Sequence, residues 1–296
     1  MVAQELFVGV DGGGTKCRIR IRAADSALLS EAQGGLANLY SDQEAAIATI
    51  LATIAEAMAK AELGMEDRPN MHVGLGLAGA VTEETTTAVR QALAPFASVS
   101  VDVDAYAACL GAHDGADGGI VIAGTGSAGL ALVGGQRHWI GGFGFPLGDQ
   151  GSGAILARGA LRRAVLSLDN LIPSSPLLDE ILDEFGRDRD ALADWARHAL
   201  PRDYAQFAPR IFAAAALGDR YGIELVQDAA RAVARLAKEL LARGAPRIAL
   251  VGGLTRPLSP YLPEELKPSL SEPKRDPLDG AIMMARRTAG RAGWSS

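Results

Sequence analysis

The chain has 296 residues, enough for two domains of ordinary size, and its 48% hydrophobic and 22% charged residues are typical of a soluble globular protein. A net charge of −6 without a basic tract argues against nucleic acid as the main partner, and no apolar run is long enough to predict a membrane helix. No signal segment precedes the first predicted strand, and Cys17 and Cys109 lie beside apolar segments, so we expect a cytoplasmic protein with reduced, buried thiols.

The first predicted strand ends in an acid that is followed by three glycines. Apolar side chains in residues 6–10 predict a buried strand, which runs into Asp11, the glycines at 12–14 and Thr15. Residues 17–22 alternate between apolar and basic, which predicts a returning strand with one face in water. Glycines let a ligand approach the backbone closely, and a carboxylate with a hydroxyl suits a phosphate and its Mg²⁺. A plain β-hairpin explains the same residues, so this stretch alone leaves both interpretations open.

Two better-known glycine motifs do not fit this stretch. A Walker A loop needs Gly-Lys followed by Ser or Thr, and the chain contains no Gly-Lys pair. A Rossmann fingerprint needs a helix after its glycines, whereas residues 17–22 predict a strand. The turn is therefore of another kind.

The rest of the first half alternates between helices and strands, which indicates an α/β fold. Asp104 stands where the last of these strands ends and a helix begins. The predicted elements after the hairpin are a helix capped by Ser41 or Asp42 and stopped by Gly64, a strand at 73–79, a helix at about 83–93, a strand at 99–103 and a helical segment from 105.

The opening pattern recurs about a hundred residues later. A buried strand at 119–123 ends in Gly124-Thr125-Gly126-Ser127, and an apolar strand returns at 130–133. We interpret this as a structural repeat. Two glycine hairpins in two α/β halves could hold one phosphate chain between them, which favours a binding role for residues 11–15 over a plain turn.

Three later segments complete the pattern. The glycine-rich loop at 141–153 carries two phenylalanines and an acid, which favours a binding loop over a flexible linker, and it leads into a helix at about 152–166. Residues 176–243 are predicted to be mostly helical, with their aromatic side chains in the core. A strand at 247–251 runs into a third glycine turn, and residues 279–285 begin a small-residue helix suited to close packing.

Together these motifs resemble those of the actin, hexokinase and heat-shock-chaperone ATPase superfamily. Within it, the chain resembles the BadF/BadG/BcrA/BcrD-type family, in the branch with the N-acetylglucosamine and glucosamine kinases. The segments that most resemble bacterial glucosamine kinases are Leu77-Ala-Gly-Ala80, residues 104–113, Ile122-Ala-Gly-Thr-Gly-Ser127, Asp149-Gln-Gly-Ser-Gly-Ala154 and residues 199–207.

The resemblance implies an α/β fold of two duplicated ribonuclease H-like (actin-like ATPase) domains, with ATP and sugar meeting in the cleft between them. The domains would be 1–116 plus 277–296, and 117–276. Asp11 would hold Mg²⁺, mostly through water, and Asp104 would be the general base. The implied nucleotide-binding residues are Gly12, Gly13, Gly14, Thr15, Thr125, Gly126 and Ser127 for phosphates, and Gly252 and Gly253 for adenosine. The implied sugar-binding residues are Asn38, Asp104, Gly142, Phe143 and Asp149.

Chemistry supports two of these roles independently of the resemblance. Phosphoryl transfer needs a group that takes the proton of the attacking hydroxyl, and a carboxylate at a strand end such as Asp104 can do so. Asn38 can offer a donor and an acceptor to neighbouring sugar hydroxyls. Without the family motif, position alone slightly favours a plain helix N-cap for Asp104, and Asn38 could merely cap its turn.

Two departures from the N-acetyl-specific relatives favour glucosamine as the substrate. Those relatives tend to have Gly-Trp where this chain has Gly142-Phe143, and an amide side chain where it has Ala128. The expected reaction is transfer of the γ-phosphoryl group of ATP to the 6-hydroxyl of glucosamine or N-acetylglucosamine.

Two other functions are compatible with a fold of this kind. A dehydratase-activating ATPase of the same fold needs thiolates for an iron–sulfur cluster, and neither cysteine lies in a suitable segment. A non-catalytic sugar sensor is disfavoured because Asp11, Asp104 and Thr125 are all present. The expected partners are the sugar and ATP, without nucleic acid or membrane, and a homodimer is left open.

Overall fold

The computed structural model describes residues 5–290, which form two compact units. Unit 1 contains the described residues up to Asp117 and from Glu272 onward, and unit 2 contains Gly118–Ser271. Residues 272–276, assigned from the sequence to the second domain, belong instead to unit 1, because the N–H groups of Lys274 and Arg275 donate to carbonyls of helix 104–113. Residues 1–4 and 291–296 of the predicted first domain lie outside the described residues.

The strands and helices have the following bounds. The strands are β1 (Leu6–Gly12), β2 (Cys17–Ala23), β3 (Leu28–Gly34), β4 (Met71–Leu77), β5 (Ser98–Val103), β6 (Gly118–Ala123), β7 (Ser127–Val133), β8 (Gln136–Gly141), β9 (Ile248–Val251) and β10 (Leu270–Ser271). The helices are α1 (Gln43–Lys60), α2 (Glu83–Ala92), α3 (Asp104–His113), α4 (Gly153–Leu168), α5 (Pro176–Glu184), α6 (Arg189–His198), α7 (Pro201–Ala205), α8 (Ala208–Ala216), α9 (Arg220–Ala242), α10 (Thr255–Leu258) and α11 (Pro277–Thr288).

The two sheets have the same topology, which confirms the predicted duplication. In unit 1 the order is β3-β2-β1-β4-β5, with β1 antiparallel to β2 and parallel to β4. In unit 2 the order is β8-β7-β6-β9-β10, with β6 antiparallel to β7 and parallel to β9. Each glycine hairpin therefore joins the central strand to its antiparallel neighbour. This is the α/β fold of actin-like ATPase domains that the motifs predicted.

Strand β3 was missed from the sequence. Its inward-facing side chains are small or polar, and most of its other side chains are exposed, so it lacks an apolar stripe. The inward hydroxyl of Ser30 donates to the carbonyl of Ala57 in α1 at 2.7 Å, which satisfies it under the helix. Helix α1 itself begins as predicted, because Asp42 caps it by accepting from the N–H of Ala45.

The arginine face of β2 is not in water, contrary to the prediction. Arg20 is only 12% exposed, and it forms ion pairs with Asp276 and Asp279, both at 2.8 Å. Arg22 also pairs with Asp279, at 3.2 Å. The basic side chains of this face are matched by the acidic N-terminal turn of α11, which covers them. Because the partners are more than 250 residues apart in the chain, the sequence around β2 does not indicate the pairing.

Helix α11 lies very close to its neighbours within unit 1, as its small residues predict. A Cβ built on Gly280 would lie 1.8 Å from the carbonyl oxygen of Ala107 in α3, and one built on Gly74 in β4 would lie 1.9 Å from that of Ala281. The sequence could not tell whether this helix packs within one chain or between two. The contacts described here lie within one unit of one chain.

Unit 2 carries the predicted helices between β8 and β9. Phe207 is buried, and Trp195, Tyr204 and Phe212 pack against the same apolar cluster, so their predicted core position is confirmed. Ser152 caps α4 by accepting from the N–H of Ile155. Among residues 5–290, none of the helices combines the length and apolarity needed to span a membrane.

Candidate active site

The first glycine turn joins β1 to β2 and is held by backbone hydrogen bonds. The N–H of Gly13 donates to the carbonyl of Lys16 at 3.1 Å, and the carbonyl of Gly13 accepts from the N–H of Ala37 at 3.1 Å. The carbonyl of Gly12 accepts from the N–H of Ala78 at 2.8 Å. The turn is therefore fixed against the loop that follows β3 and against the end of β4.

Packing within the described part of the protein requires glycine at only one of the three positions in this turn. A Cβ on Gly12 would lie 2.6 Å from the side chain of Leu77, so packing requires glycine there. At Gly13 and Gly14 the nearest atoms would be 3.9 and 3.8 Å away, and neither residue has a positive φ. Nothing within the described protein needs glycine at 13 or 14. Bare backbone at that point suits the close approach of a phosphate.

Asp11 is paired with an arginine that the sequence interpretation overlooked. Arg18 donates to Oδ2 of Asp11 from Nε at 3.1 Å and from Nη2 at 2.6 Å. The two residues face each other across β1 and β2, so the register of a tight hairpin could have revealed the pair. In the described residues no hydrogen bond reaches Oδ1. That oxygen suits a hydrated cation such as Mg²⁺.

Asp104 opens α3 immediately after β5. The N-cap of α3 is Val103, so Asp104 is not the plain N-cap that its position also suggested. Its Oδ1 accepts from the N–H of Ala105 at 2.8 Å. A Cβ on Gly76 in β4 would lie 2.5 Å from the Cβ of Ala107, so glycine there lets the start of α3 approach the sheet.

The electrostatic surroundings of Asp104 favour its protonated form. Desolvation is the largest cause that raises its pKa, and repulsion from Asp11 adds to it, while the hydrogen bond from Ala105 opposes both. Asp11 pairs in register with Gly76, and Gly76 with Asp102, in parallel strands. Asp11, the predicted Mg²⁺ ligand, and Asp104, the predicted base, therefore lie at the same carboxyl edge of the first sheet.

Asn38 lies beside the first glycine turn. Its Oδ1 accepts from the N–H of Tyr40 at 2.9 Å, so it makes the local turn that was one interpretation of this residue. Its Nδ2 would lie 3.8 Å from a Cβ on Gly14. The amide nitrogen is thus next to the turn while the amide oxygen shapes the loop, and the two roles are compatible.

The second glycine turn joins β6 to β7 and is braced by the loop before α4. The N–H of Ser127 donates to Oδ1 of Asp149 at 3.1 Å, and its hydroxyl donates to the carbonyl of Gln150 at 2.8 Å. Ser127 is buried and its donors serve this bracing, whereas Thr125 at the tip is exposed. Of the predicted phosphate contacts in unit 2, Thr125 and Gly126 therefore have the accessible positions.

Asp149, predicted to face the sugar, packs against the second glycine turn. It has a φ of +64°, and its Oδ2 would lie 3.0 Å from a Cβ on Gly126. Desolvation raises its pKa, against the hydrogen bond from Ser127. The backbone of Asp149 is therefore left-handed, and its buried carboxylate holds the second glycine turn. The sequence did not predict this structural role.

The loop from 141 to 148 presents the predicted sugar contacts of unit 2. Gly141, Gly142 and Gly144 all have positive φ, so this path requires glycine. Phe143 is 76% exposed. A Cβ on Gly142 would lie 3.5 Å from that of Ala128, so position 128 borders the loop.

The predicted adenosine residues lie beside the second glycine turn. Gly252 has a φ of +108°, and a Cβ there would lie 2.4 Å from the carbonyl oxygen of Ala123. Nothing lies within 4 Å of a Cβ built on Gly253 or Gly124. The predicted residues thus form one group in each unit, with residues 11–15, Asn38 and Asp104 in unit 1 and the others in unit 2.

Known proteins resemble this chain over nearly its whole length. The chain is 41% identical over 279 residues to the glucosamine kinase GspK of Vibrio cholerae, which covers 94% of this chain and 95% of that protein. It is 28% identical over 251 residues to an N-acetyl-D-glucosamine kinase of Dictyostelium discoideum, with 78% of each covered. The crystal structure of a candidate N-acetylglucosamine kinase from Chromobacterium violaceum superposes with a TM-score of 0.90 at 33% identity, covering 96% of this chain and 99% of that one.

A family model agrees with these relatives. The model described as the BadF/BadG/BcrA/BcrD ATPase family matches residues 8–285, a span that holds every predicted site residue. The chain therefore belongs to the BadF/BadG/BcrA/BcrD ATPase family.

Proposed function

We propose that the protein is a glucosamine kinase that transfers the γ-phosphoryl group of ATP to the 6-hydroxyl of the sugar. The observation that carries this proposal is in unit 1, where the desolvated carboxylate of Asp104 lies at the same sheet edge as a glycine turn with two glycines that the protein itself does not need. A base and a phosphate cradle at one edge are the parts that phosphoryl transfer requires.

Asp104 acts as the general base in this proposal. It accepts the proton of the 6-hydroxyl as that oxygen attacks the γ-phosphorus, and the bond to the β-phosphate oxygen breaks. A raised pKa makes the ionised carboxylate of Asp104 a better proton acceptor. The turn at residues 12–15 would cradle the phosphates, with the N–H groups of Gly14, Thr15, Thr125 and Gly126 as donors, because the N–H of Gly13 already donates to Lys16.

Mg²⁺ fits the residues of unit 1 as a partner of ATP. When bound, it neutralises charge on the phosphates. Asp11 supplies one carboxylate oxygen that Arg18 does not use. Among the described residues, no group of three or more His, Cys, Asp or Glu side chains could hold a metal, so Asp11 would share the ion with phosphates and water.

Glucosamine is favoured over N-acetylglucosamine by the borders of the loop at 141–148. Ala128 offers only a methyl group beside Gly142, so no amide side chain is available there to bind an acetamide. Phe143 presents an exposed apolar face in the same loop. The glucosamine kinase from Vibrio cholerae, at 41% identity, supports the same choice.

A coupled assay of ADP release tests the proposal. Glucosamine, N-acetylglucosamine and glucose are offered in turn with ATP and Mg²⁺, and we expect glucosamine to have the highest kcat/KM. Asp104→Asn should lower kcat by about 10²–10⁴-fold, the range for loss of a general base. Asp102→Asn, two residues away in β5, is the matched control and should keep its activity.

The outcome also decides between the kinase and a sugar sensor. If the wild-type protein binds glucosamine in calorimetry but releases no ADP, the protein is a sensor and the kinase proposal is wrong. Full activity of Asp104→Asn would be consistent with a kinase but would show that Asp104 is not its general base.

A further inference from the structure

Unit 2 contains a cavity of about 610 Å³ between α4 and α6 that the proposed function does not use. Its walls are mostly apolar and include Leu161, Val165, Leu166, Leu192 and Trp195. Val165 and Leu166, adjacent residues of α4, are 39% and 40% exposed. A mostly apolar cavity of this size is in the range that binds small organic ligands.

The charges around the cavity are unbalanced. Its lining contains three arginines, Arg158, Arg162 and Arg189, but one carboxylate, Asp190. Arg189 is neutralised by an ion pair with Asp169 at 2.9 Å. In the described residues no carboxylate lies within 4.0 Å of the guanidinium groups of Arg158 or Arg162.

Arg158 and Arg162 are one turn apart on α4, and like charges at this spacing destabilise a helix. The neighbouring Arg163, on another face of the helix, has a carboxylate partner, Glu224, at 3.6 Å. Two unpaired cations beside an apolar wall complement a ligand with an apolar body and an anionic head.

Arg158 also connects the cavity with the glycine-rich loop. Its guanidinium lies over the ring of Phe145 at 4.8 Å, and its Nη1 is 3.5 Å from the carbonyl oxygen of Phe145. The same ring packs against Tyr204, which lines the cavity, with ring centroids 5.0 Å apart. Phe145 follows the predicted sugar contact Phe143 by two residues.

We propose that this cavity is a second binding site, for an amphipathic organic anion whose head is held by Arg158 and Arg162, and that its occupation changes the affinity for the sugar. An anionic head draws the Arg158 guanidinium toward itself and weakens its contact with Phe145. The loop at 141–148 then loses one of its supports. The binding step is independent of the proposed function, whereas the effect on sugar affinity rests on it.

Fluorescence titration with anilinonaphthalene sulfonate, an apolar aromatic anion, tests the binding step. The wild-type protein should bind one equivalent, and saturation with ADP and Mg²⁺ should leave the binding unchanged, because the nucleotide site is elsewhere. Arg162→Gln should weaken binding about tenfold, which corresponds to a loss of about 1.4 kcal/mol for one charged hydrogen bond. Arg163→Gln is the matched control and should bind as the wild type does.

Three results would contradict the proposed binding site. These are no binding to the wild-type protein, displacement of the probe by ADP, or equal binding by Arg162→Gln and Arg163→Gln. Light scattering after size exclusion provides a further test. If the protein is a dimer that Leu166→Glu dissociates, a second copy of the chain covers the walls of the cavity, and the proposal is wrong. Thermal melts of each variant ensure that a weaker signal reflects the site and not unfolding.

The effect of the second site on sugar affinity is measured separately, by steady-state kinetics. Saturating probe should raise the KM for glucosamine several-fold with little change in kcat, and Arg158→Gln should have a raised KM that the probe no longer changes. An unchanged KM with the probe bound would contradict the coupling and leave the binding site standing. Absence of any sugar kinase activity would contradict the proposed function and leave the titration result unaffected.

Discussion

In the proposed mechanism Asp104 acts as the base, and its burial has a cost in stability. Its folded-state pKa is raised, chiefly by desolvation, so the folded protein resists ionisation of this group more than the unfolded chain does. Above the unfolded pKa the ionised carboxylate therefore destabilises the fold. A raised pKa with such a cost is typical of residues selected for catalysis, and it supports the proposed role of Asp104.

Asp104→Asn should therefore be more stable than the wild type at pH 7 while it loses activity. As the pH falls, the difference in Tm should begin to shrink at the raised pKa of the folded state and should vanish below the pKa of the unfolded chain. Thermal melts of both proteins between pH 3 and pH 8 measure this, on the scale where an ordinary aspartate has a pKa of 3.8. A lower Tm of the variant at pH 7 would contradict the desolvation argument.

Sequence motifs located the predicted site residues but did not predict what those residues contact. Asp11 and Asp104 lie at one sheet edge. The partner of Asp11, Arg18, and the bracing contact of Asp149 with Ser127 were missed. The register of the hairpin could have revealed the first contact, whereas the second depends on the path of a loop, for which the sequence pattern contains no signal.

At the scale of elements, the glycine turns separate glycines that the fold needs from glycines that a ligand needs. Gly14→Ala should fold with unchanged or slightly higher stability, because the new methyl group has room and glycine-to-alanine changes at such sites stabilise by about 0.4–1 kcal/mol. It should weaken ATP binding by about tenfold or more, because a methyl group keeps the phosphate from the N–H groups and charged hydrogen bonds contribute about 1.5–3 kcal/mol each.

Calorimetry with ATP and Mg²⁺, alongside thermal melts, checks both halves of this prediction. Gly35→Ala is the matched control, because a Cβ there has open space and Gly35 is not among the predicted site residues, and it should bind ATP normally. If Gly14→Ala binds ATP as well as the control does, the first turn is a plain hairpin.

Helix α11 gives the opposite case, in which glycine serves packing alone. Gly280→Ala should lower the free energy of unfolding by about 1–3 kcal/mol or more, because its methyl group would overlap the backbone of α3. Gly159→Ala in α4 is the control, because the end of a flexible leucine side chain is its nearest neighbour and the gain in helix propensity offsets the crowding. Urea unfolding of the two variants measures the difference, and equal losses would contradict backbone contact as the cause.

Most elements followed from periodicity and capping, and the exceptions have physical causes. β3 was missed because polar Ser30 faces inward and is satisfied by α1. The arginine face of β2 was placed in water because its acidic partners lie far along the chain in α11. In both cases tertiary contacts supply what local sequence lacks.

At the scale of the whole molecule, the duplication was predictable because both central hairpins carry glycine turns at the same place in the strand order. The short strand β10 and the membership of residues 272–276 in unit 1 were not, because they depend on strand pairing and backbone contacts between distant segments. The repeated sheet places a glycine turn at the carboxyl end of the first strand of each unit.

The reactivity of the two cysteines tests the alternative function of the same fold, a dehydratase-activating ATPase with an iron–sulfur cluster. Both thiols are buried, and desolvation raises the pKa of Cys17 to about 12, so neither should react with Ellman's reagent in the native protein at pH 8. In denaturant both should react, and the rate of thiol release under native conditions should follow global unfolding. Metal analysis of protein purified without oxygen should find no stoichiometric iron. Rapid reaction of both thiols in the folded protein, together with bound iron, would show that the cysteines serve a cluster and would replace the kinase proposal by an electron-transfer function.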